Sequence, residues 1–248
     1  MNDQILLIAM SYVRIAPVFY LLPFFNDRIL NGLLFKNVLI YLIILGMWPL
    51  IFPMRSALEN TAILVIISSE LFTGMVLAFV VCVPFWIASN IGELIDNQRG
   101  ATISDTIDPS NGAETSILGA FLNFFCSVIF LNQGGMLLLL EALASSYQHI
   151  PFGSVVGNFN WPEMGVWLNA MIARSLILSA PVLVVMFLCE VALGVYSRFC
   201  PQLNAFSLSL TIKSIIAFCV LIIYFTSGLP SELMDLFDMN SFYQMMER

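Results

Sequence analysis

The stretch "NIGELIDNQRGATISDTIDPSNG" (Asn90–Gly112) gathers Glu93, Asp96, Arg99, Asp105 and Asp108 between two strongly apolar runs, and Glu114 follows it. Side chains of these types could carry acid–base work, bind a cation or hold a partner. Asn90, Glu93 and Asn97 share one face at helical spacing, and Asp96 and Arg99 stand at i, i+3, the spacing of a helical salt bridge. The spacing therefore predicts that the helix entering the stretch continues to about Gly100, where the chain turns. A helix then restarts in one of two ways. Either Asp108 caps it with Pro109 in the first turn, or Asn111 and Glu114 make a capping box. Both give a shaped helix–loop–helix, and an ordinary solvated loop with good caps fits the same residues.

A second set of reactive groups lies inside apolar runs: Arg14, Glu70, Arg174, Glu190 and Lys213. An ion on a lipid-facing helix costs several kcal/mol, so these five should face protein or water and pair. Spacing alone does not say which pairs with which. It leaves open whether they lock helices together or serve a conduction or partner surface. Ser68 and Ser69 beside Glu70, and the serines of "SLSLTIKS" beside Lys213, have the residue types of a serine–lysine dyad. Hydroxyls in membrane helices more often pack or bond a backbone carbonyl. His149 is the single histidine, and the sequence has no H-E-x-x-H, Walker A or G-x-G-x-x-G motif. The reading is of a protein that is not an enzyme, with no catalytic, metal or cofactor residues. Cys82, Cys126, Cys189, Cys200 and Cys219 mostly sit in apolar runs without C-x-x-C spacing, which reads as buried structural thiols.

The elements that must position these groups follow from composition. Of the 248 residues, 60% are hydrophobic and 10% charged, and the mean hydropathy is +0.93. A soluble domain of this length could not coat its surface with so few polar side chains, so lipid or other apolar protein must be the main neighbour. A net charge of -7 with nine Lys and Arg leaves no basic cluster for nucleic acid. The N-terminus lacks a basic n-region and a small-residue cleavage site and carries Arg14 in mid-run, the pattern of a retained segment.

Crossing the roughly 30 Å hydrocarbon core takes about 20 helical residues. Six apolar runs meet that length, at 5–25, 29–52, 61–91, 115–143, 164–195 and 205–228, followed by an acidic, partly amphipathic tail over 229–248. The run 61–91 would be about 46 Å long if straight, so it must tilt, kink or project from the bilayer. Pro84 and Pro181 offer kinks, Pro49 and Pro53 close the second run, and "NQGG" (Asn132–Gly135) predicts a break or hairpin tip in the fourth. With six spans, Arg28, Lys36, Arg99 and Arg198 fall on one side against Arg55 and Arg248 on the other, a bias that puts the N-terminus outside. The fold class is all-α: a polytopic membrane-type protein of helical hairpins and long kinked helices.

At "IDNQRGAT", "DPSNGAETS" and "SRFCPQLNAFSLSLTIKS" the chain resembles the FliR/SpaR/YscT family, the T subunit of the type III secretion export apparatus. The resemblance covers the whole chain. It includes "RIAPVFYLLPF", the "WP" that ends the second run, "PFW" leading into G-x-x-I-D-x-Q-R-G, "FLNQGG", and "SAPVLVVMFLCEVALGVYSRF". The "IDNQRG" form is similar to the injectisome branch more than to the flagellar one. The resemblance implies one copy assembling with R and S subunits, and also the U subunit, into an export gate for unfolded polypeptide. That gate would replace a conventional bundle with hairpins packed around a pore, at the base of the machine in the bacterial inner membrane and partly projecting toward the periplasm. In that setting Glu93, Asp96, Gln98, Arg99, Gly100, Asp108 and Pro109 form an assembly or gating loop, and the 13 methionines suit an adaptable seal. A small-molecule or ion transporter using Glu70, Arg174, Glu190 and Lys213 is the competing class, and a membrane enzyme is the third.

Overall fold

The computed structural model describes residues 2–25, 33–55, 62–100, 116–152, 159–199 and 205–237, and every regular element among them is helical. In chain order these are α1 (Asn2–Leu21), α2 (Leu33–Gly46), α3 (Trp48–Ile51), α4 (Ile63–Arg99), α5 (Ile117–Asn132), α6 (Gly135–His149), α7 (Trp161–Phe199), α8 (Ala205–Ser227) and α9 (Leu229–Met234). Short 3-10 turns cover Pro23–Phe25 and Phe52–Met54. Asp108, Pro109 and the two alternative caps of the restarting helix lie outside the described residues.

Length separates these helices from those of a soluble protein. With 37 and 39 residues, α4 and α7 are about 55 and 58 Å long, well beyond a hydrocarbon core of ~30 Å. Both continue through an internal proline, Pro84 and Pro181. Two sharp bends lie elsewhere. One of 61° separates α2 from Trp48–Met54, where Pro49 occupies the first turn of a new helix, a position that needs no N–H. The other, of 75°, separates α5 from α6 at the expected "NQGG". Gly134 there has φ +80°, a left-handed conformation that glycine adopts without steric cost. Among the described residues four helices are long and apolar enough to cross a membrane, or up to six if each bent pair is one span.

The chain divides into two compact units, each with its own core. The first is built from 1–84, 130–168 and 237–248. Leu7, Ile15 and Phe19 of α1 are buried in it, as are Ile40 and Ile44 of α2, Leu77 and Val81 of α4, and Leu139 and Leu143 of α6. A Cβ on Gly74 would overlap the backbone carbonyl of Arg14, so α1 and α4 approach at backbone distance only because residue 74 has no side chain.

The second unit is built from 85–129 and 169–236. Its core includes Phe85, Ile91 and Ile95 of α4, Leu122 and Cys126 of α5, and Val182 and Met186 of α7. Here Gly92 of α4 and Gly119 of α5 meet: a Cβ on Gly92 would overlap the backbone of Leu118 and Gly119. This glycine contact sets the distance between the two helices that flank the polar stretch.

Overpacking of this kind costs about 1–3 kcal/mol, more when backbone must move. Gly74→Leu and Gly92→Leu should each lower the thermal midpoint of the detergent-solubilised chain by several degrees. Gly194→Ala, where a Cβ meets nothing within 4 Å, should hold or raise it, and a thermal shift series reads all three.

Candidate functional site

In the first unit the sequence places Arg14 two-thirds along α1, and the fold buries its side chain completely. An isolated guanidinium in such a place is prohibitively costly unless its charge and its N–H donors are met. Glu70 of α4, equally buried, supplies the charge. Arg14 Nε donates to Glu70 Oε2 at 2.6 Å and Nη2 to Oε1 at 2.8 Å, the two-pronged geometry that suits a planar fork. The C-terminal end of α6 supplies the remaining acceptors. Nη1 donates to the Ser146 carbonyl in the last turn at 3.0 Å and Nη2 to the carbonyl of Ile150, the residue just past the helix, at 2.9 Å, where the negative end of the helix dipole suits a cation. The Tyr147 ring lies 4.3 Å from the guanidinium carbon, completing the enclosure. Arg14 thus joins α1, α4 and the end of α6.

The second unit holds the other cluster, at the end of α4. Asp96 is buried, and both its oxygens are occupied. Oδ1 accepts from Arg99 Nε at 2.7 Å; Oδ2 accepts from Ser116 Oγ at 2.6 Å and from the Leu118 N–H at 3.0 Å. Ser116 in turn accepts from the Gly119 N–H at 2.8 Å, as an N-cap does for the third residue of its helix. The free N–H groups that open α5 are therefore met by its own cap and by a carboxylate of α4, whose negative charge also suits the positive end of the helix.

Lys213 of α8 closes the opposite polarity. Its buried amine donates to the Gln98 carbonyl, one of the unpaired carbonyls that end α4, at 3.1 Å and lies 3.3 Å from Glu190 of α7. Gly100 follows with φ +79°, the left-handed residue that ends the helix and turns the chain. Arg99 also lies over the Phe218 ring at 5.4 Å, beside an apolar cavity of about 500 Å³ lined by Ile117, Phe121, Phe125, Leu221 and Phe225.

Of the residues singled out from sequence, the fold brings Asp96, Gln98, Arg99, Gly100, Glu190 and Lys213 into one cluster and Arg14 and Glu70 into another. Glu93 stays on the exposed face with Asn90 and Asn97, within 3.4 Å of Ser89 Oγ. Arg174 is exposed and joins neither cluster. The hydroxyls of Ser68 and Ser69 return to the carbonyls of Val65 and Ile66, and that of Ser214 to Leu210. These serines are thus engaged with their own helices, and the Lys213 amine with Gln98 and Glu190. Sequence reasoning missed Ser116, Ser146 and Tyr147. Ser116 had a signal, a hydroxyl directly before the apolar run "ILGAF"; the other two serve Arg14 only through the fold.

Removing one partner of a buried pair costs about 3–5 kcal/mol, whereas an apolar replacement of both can be near neutral. Glu70→Leu should therefore abolish accumulation of the folded chain in membranes. The double variant Arg14→Met/Glu70→Leu should recover most of it, as measured by immunoblot and by the thermal midpoint in detergent.

The family model described as "Bacterial export proteins, family 1" matches residues 5–239. The surface presentation of antigens protein SpaR of Salmonella typhimurium is 38% identical over 92% of this chain and 86% of its own length. SpaR of Shigella flexneri is 40% identical over 86% and 82%. The Yop proteins translocation protein T of Yersinia pestis is 32% identical over 85% and 82%. A match that runs through α1 to α9, and so through both polar clusters, identifies the chain as a member of the bacterial export protein family that includes SpaR and the Yop translocation protein T.

Proposed function

We propose that this chain is a core subunit of a type III secretion export gate in the bacterial inner membrane. With R and S partner subunits, and in contact with a U subunit, it forms the entry channel for unfolded effector and needle proteins. The full-length match to the export family carries this reading.

The distribution of burial supports it. Within α4 an apolar 18-residue window is 72% buried in the chain itself, whereas the corresponding window of α7 is 22% buried and Leu208–Phe225 of α8 only 17%. Two long apolar helices therefore turn most of their surface outward, toward lipid and toward other subunits of a membrane complex. The buried ions of the two clusters are engaged inside the chain, while Glu190 stays half exposed beside Lys213. Arg14 and Glu70 satisfy each other and Asp96 is filled by three donors, which leaves these ions engaged in structure and not open to a solute.

In this reading the chain performs no covalent chemistry. A conduit for chemically varied polypeptides presents few fixed charges and closes with apolar, adaptable side chains. Asp96, Gln98, Arg99 and Gly100 tie together the ends of the two helices that flank the polar stretch, and with Glu93, Asp108 and Pro109 they make up its assembly or gating segment. Movement of the substrate draws on the proton motive force and on an ATPase elsewhere in the machine.

Co-expression with R and S subunits and native mass measurement of the detergent-extracted particle tests the assignment. A defined complex with one copy of this chain is expected, and a stable lone protein indifferent to those subunits would overturn it. In the same system Asp96→Ala and Arg99→Ala should reduce secretion by weakening assembly, without changing which substrates are exported. Asp96→Ala should act more strongly, because it strips three hydrogen bonds against one. Wild-type secretion from both variants at normal expression would remove the assembly role.

A further inference from the structure

Hydropathy does not choose which face of α8 turns inward. Its buried residues Ser209, Lys213, Ala217 and Leu221 recur at every fourth position and so share one face, and of these four only Leu221 is a large apolar side chain. Ile215, Ile222 and Ile223 lie on other sides of the helix, exposed, and are as apolar as Leu221. A helix that is apolar on every side gains nearly as much by burying one face as another.

Lys213 breaks that equivalence. In the observed rotation its almost wholly buried amine donates to the Gln98 carbonyl at 3.1 Å and lies 3.3 Å from Glu190 Oε2. The neighbouring carbonyl of Asn97 is taken by the Gly100 N–H at 3.1 Å, so Lys213 answers an end of α4 that the chain's own turn leaves open. Turning α8 about its axis carries the ammonium away from both acceptors, which an apolar surrounding does not replace. The other contacts of α8 are less demanding. Phe225 lies 4.5 Å from the Phe125 ring and 6.2 Å from that of Phe121, and Phe218 lies under Arg99 at 5.4 Å. Apolar side chains from another face of the helix can fill such space at modest cost, whereas a buried ammonium needs its acceptors in place. One buried polar residue among interchangeable apolar contacts is the means by which packed helices select a single register.

We infer that Lys213 is a positioning residue: it sets the rotation of α8 against α4, α5 and α7, and so decides which face of α8 is left outward.

The test uses the full chain in membranes, with its five cysteines replaced by alanine and new cysteine pairs joined by a short bismaleimide and counted by mass spectrometry of the proteolytic peptides. Phe125→Cys with Phe225→Cys reports the observed rotation, and Phe125→Cys with Ile223→Cys, on the opposite side of α8 from Phe225, reports a turned helix. With Lys213 present the first pair should link at least tenfold more than the second. Lys213→Met should lower that ratio at least tenfold while the chain accumulates within twofold of normal, because Glu190 is half exposed and water can answer its charge. Lys213→Arg, which keeps a charged donor, should hold the ratio. An unchanged ratio with Lys213→Met would overturn the inference, and so would an equal fall with Lys213→Arg, since side-chain shape and not the charged donor would then orient α8. If Lys213→Met does not accumulate, Lys213→Met/Glu190→Leu, which leaves no charge of the pair behind, is read in its place. Loss of that variant too would show that Lys213 stabilises the chain without orienting α8, and would overturn the inference.

The consequence for assembly rests on the export-gate reading. Recovery of co-expressed R and S subunits with the chain should fall several-fold with Lys213→Met and stay unchanged with Lys213→Arg. Unchanged recovery beside a lowered crosslink ratio would refute that consequence and sustain the orienting role. Failure of the wild-type chain to recover any partner would refute the export-gate reading alone, because the crosslinks are read within one chain.

Discussion

The burial of one guanidinium sets the terms for the first unit. Arg14 sits where no water reaches, so every N–H it carries and its whole charge must be answered by protein. Glu70 answers the charge, the carbonyls of Ser146 and Ile150 at and just past the end of α6 take the remaining donors, and Gly74 brings α4 close enough for the pairing to form. These requirements come from three helices at once. A shift of α1, α4 or α6 by even one ångström would leave a buried ion short of a partner, which ties the three helices to one arrangement.

The second unit solves a related problem with helix termini. Where α4 ends and α5 begins, free carbonyls and free N–H groups face each other's helix dipoles. Asp96 meets the positive end of α5 and Lys213 the negative end of α4. The close contact of Gly92 with Gly119 holds the helices near enough for a carboxylate on one to cap the other. The same polar residues that look reactive in sequence are thus occupied in tying the end of α4 to the start of α5 and to α8. The outward faces of α7 and α8 stay largely uncovered by the chain itself.

Interactions that depend on local spacing were legible before the fold was known. The Asp96–Arg99 bridge is one, since i, i+3 residues are neighbours on any helix. The end of α4 near Gly100 and the break at Gln133–Gly134 are others, because glycine supplies conformations that other residues avoid. Arg14 and Glu70 were recognised as ions that must pair, but not as each other's partner, being 56 residues apart in sequence. Ser146 and the Ile150 carbonyl gave no sign at all, since a hydroxyl and a main-chain oxygen become ligands of Arg14 only after α6 has docked.

The sequence by itself determined that the protein is helical and membrane-type, where the polar stretch interrupts its apolar runs, and which family it belongs to. Those properties follow from hydropathy, backbone preference and motif order, all of which are written along the chain. Only the tertiary structure decided which ions neutralise each other, which helix ends are capped from afar, and that Arg174 alone of the five faces outward without a partner among the described residues. Coulomb attraction and hydrogen bonding act over a few ångströms in space, and distance along a chain does not fix that until the helices have packed.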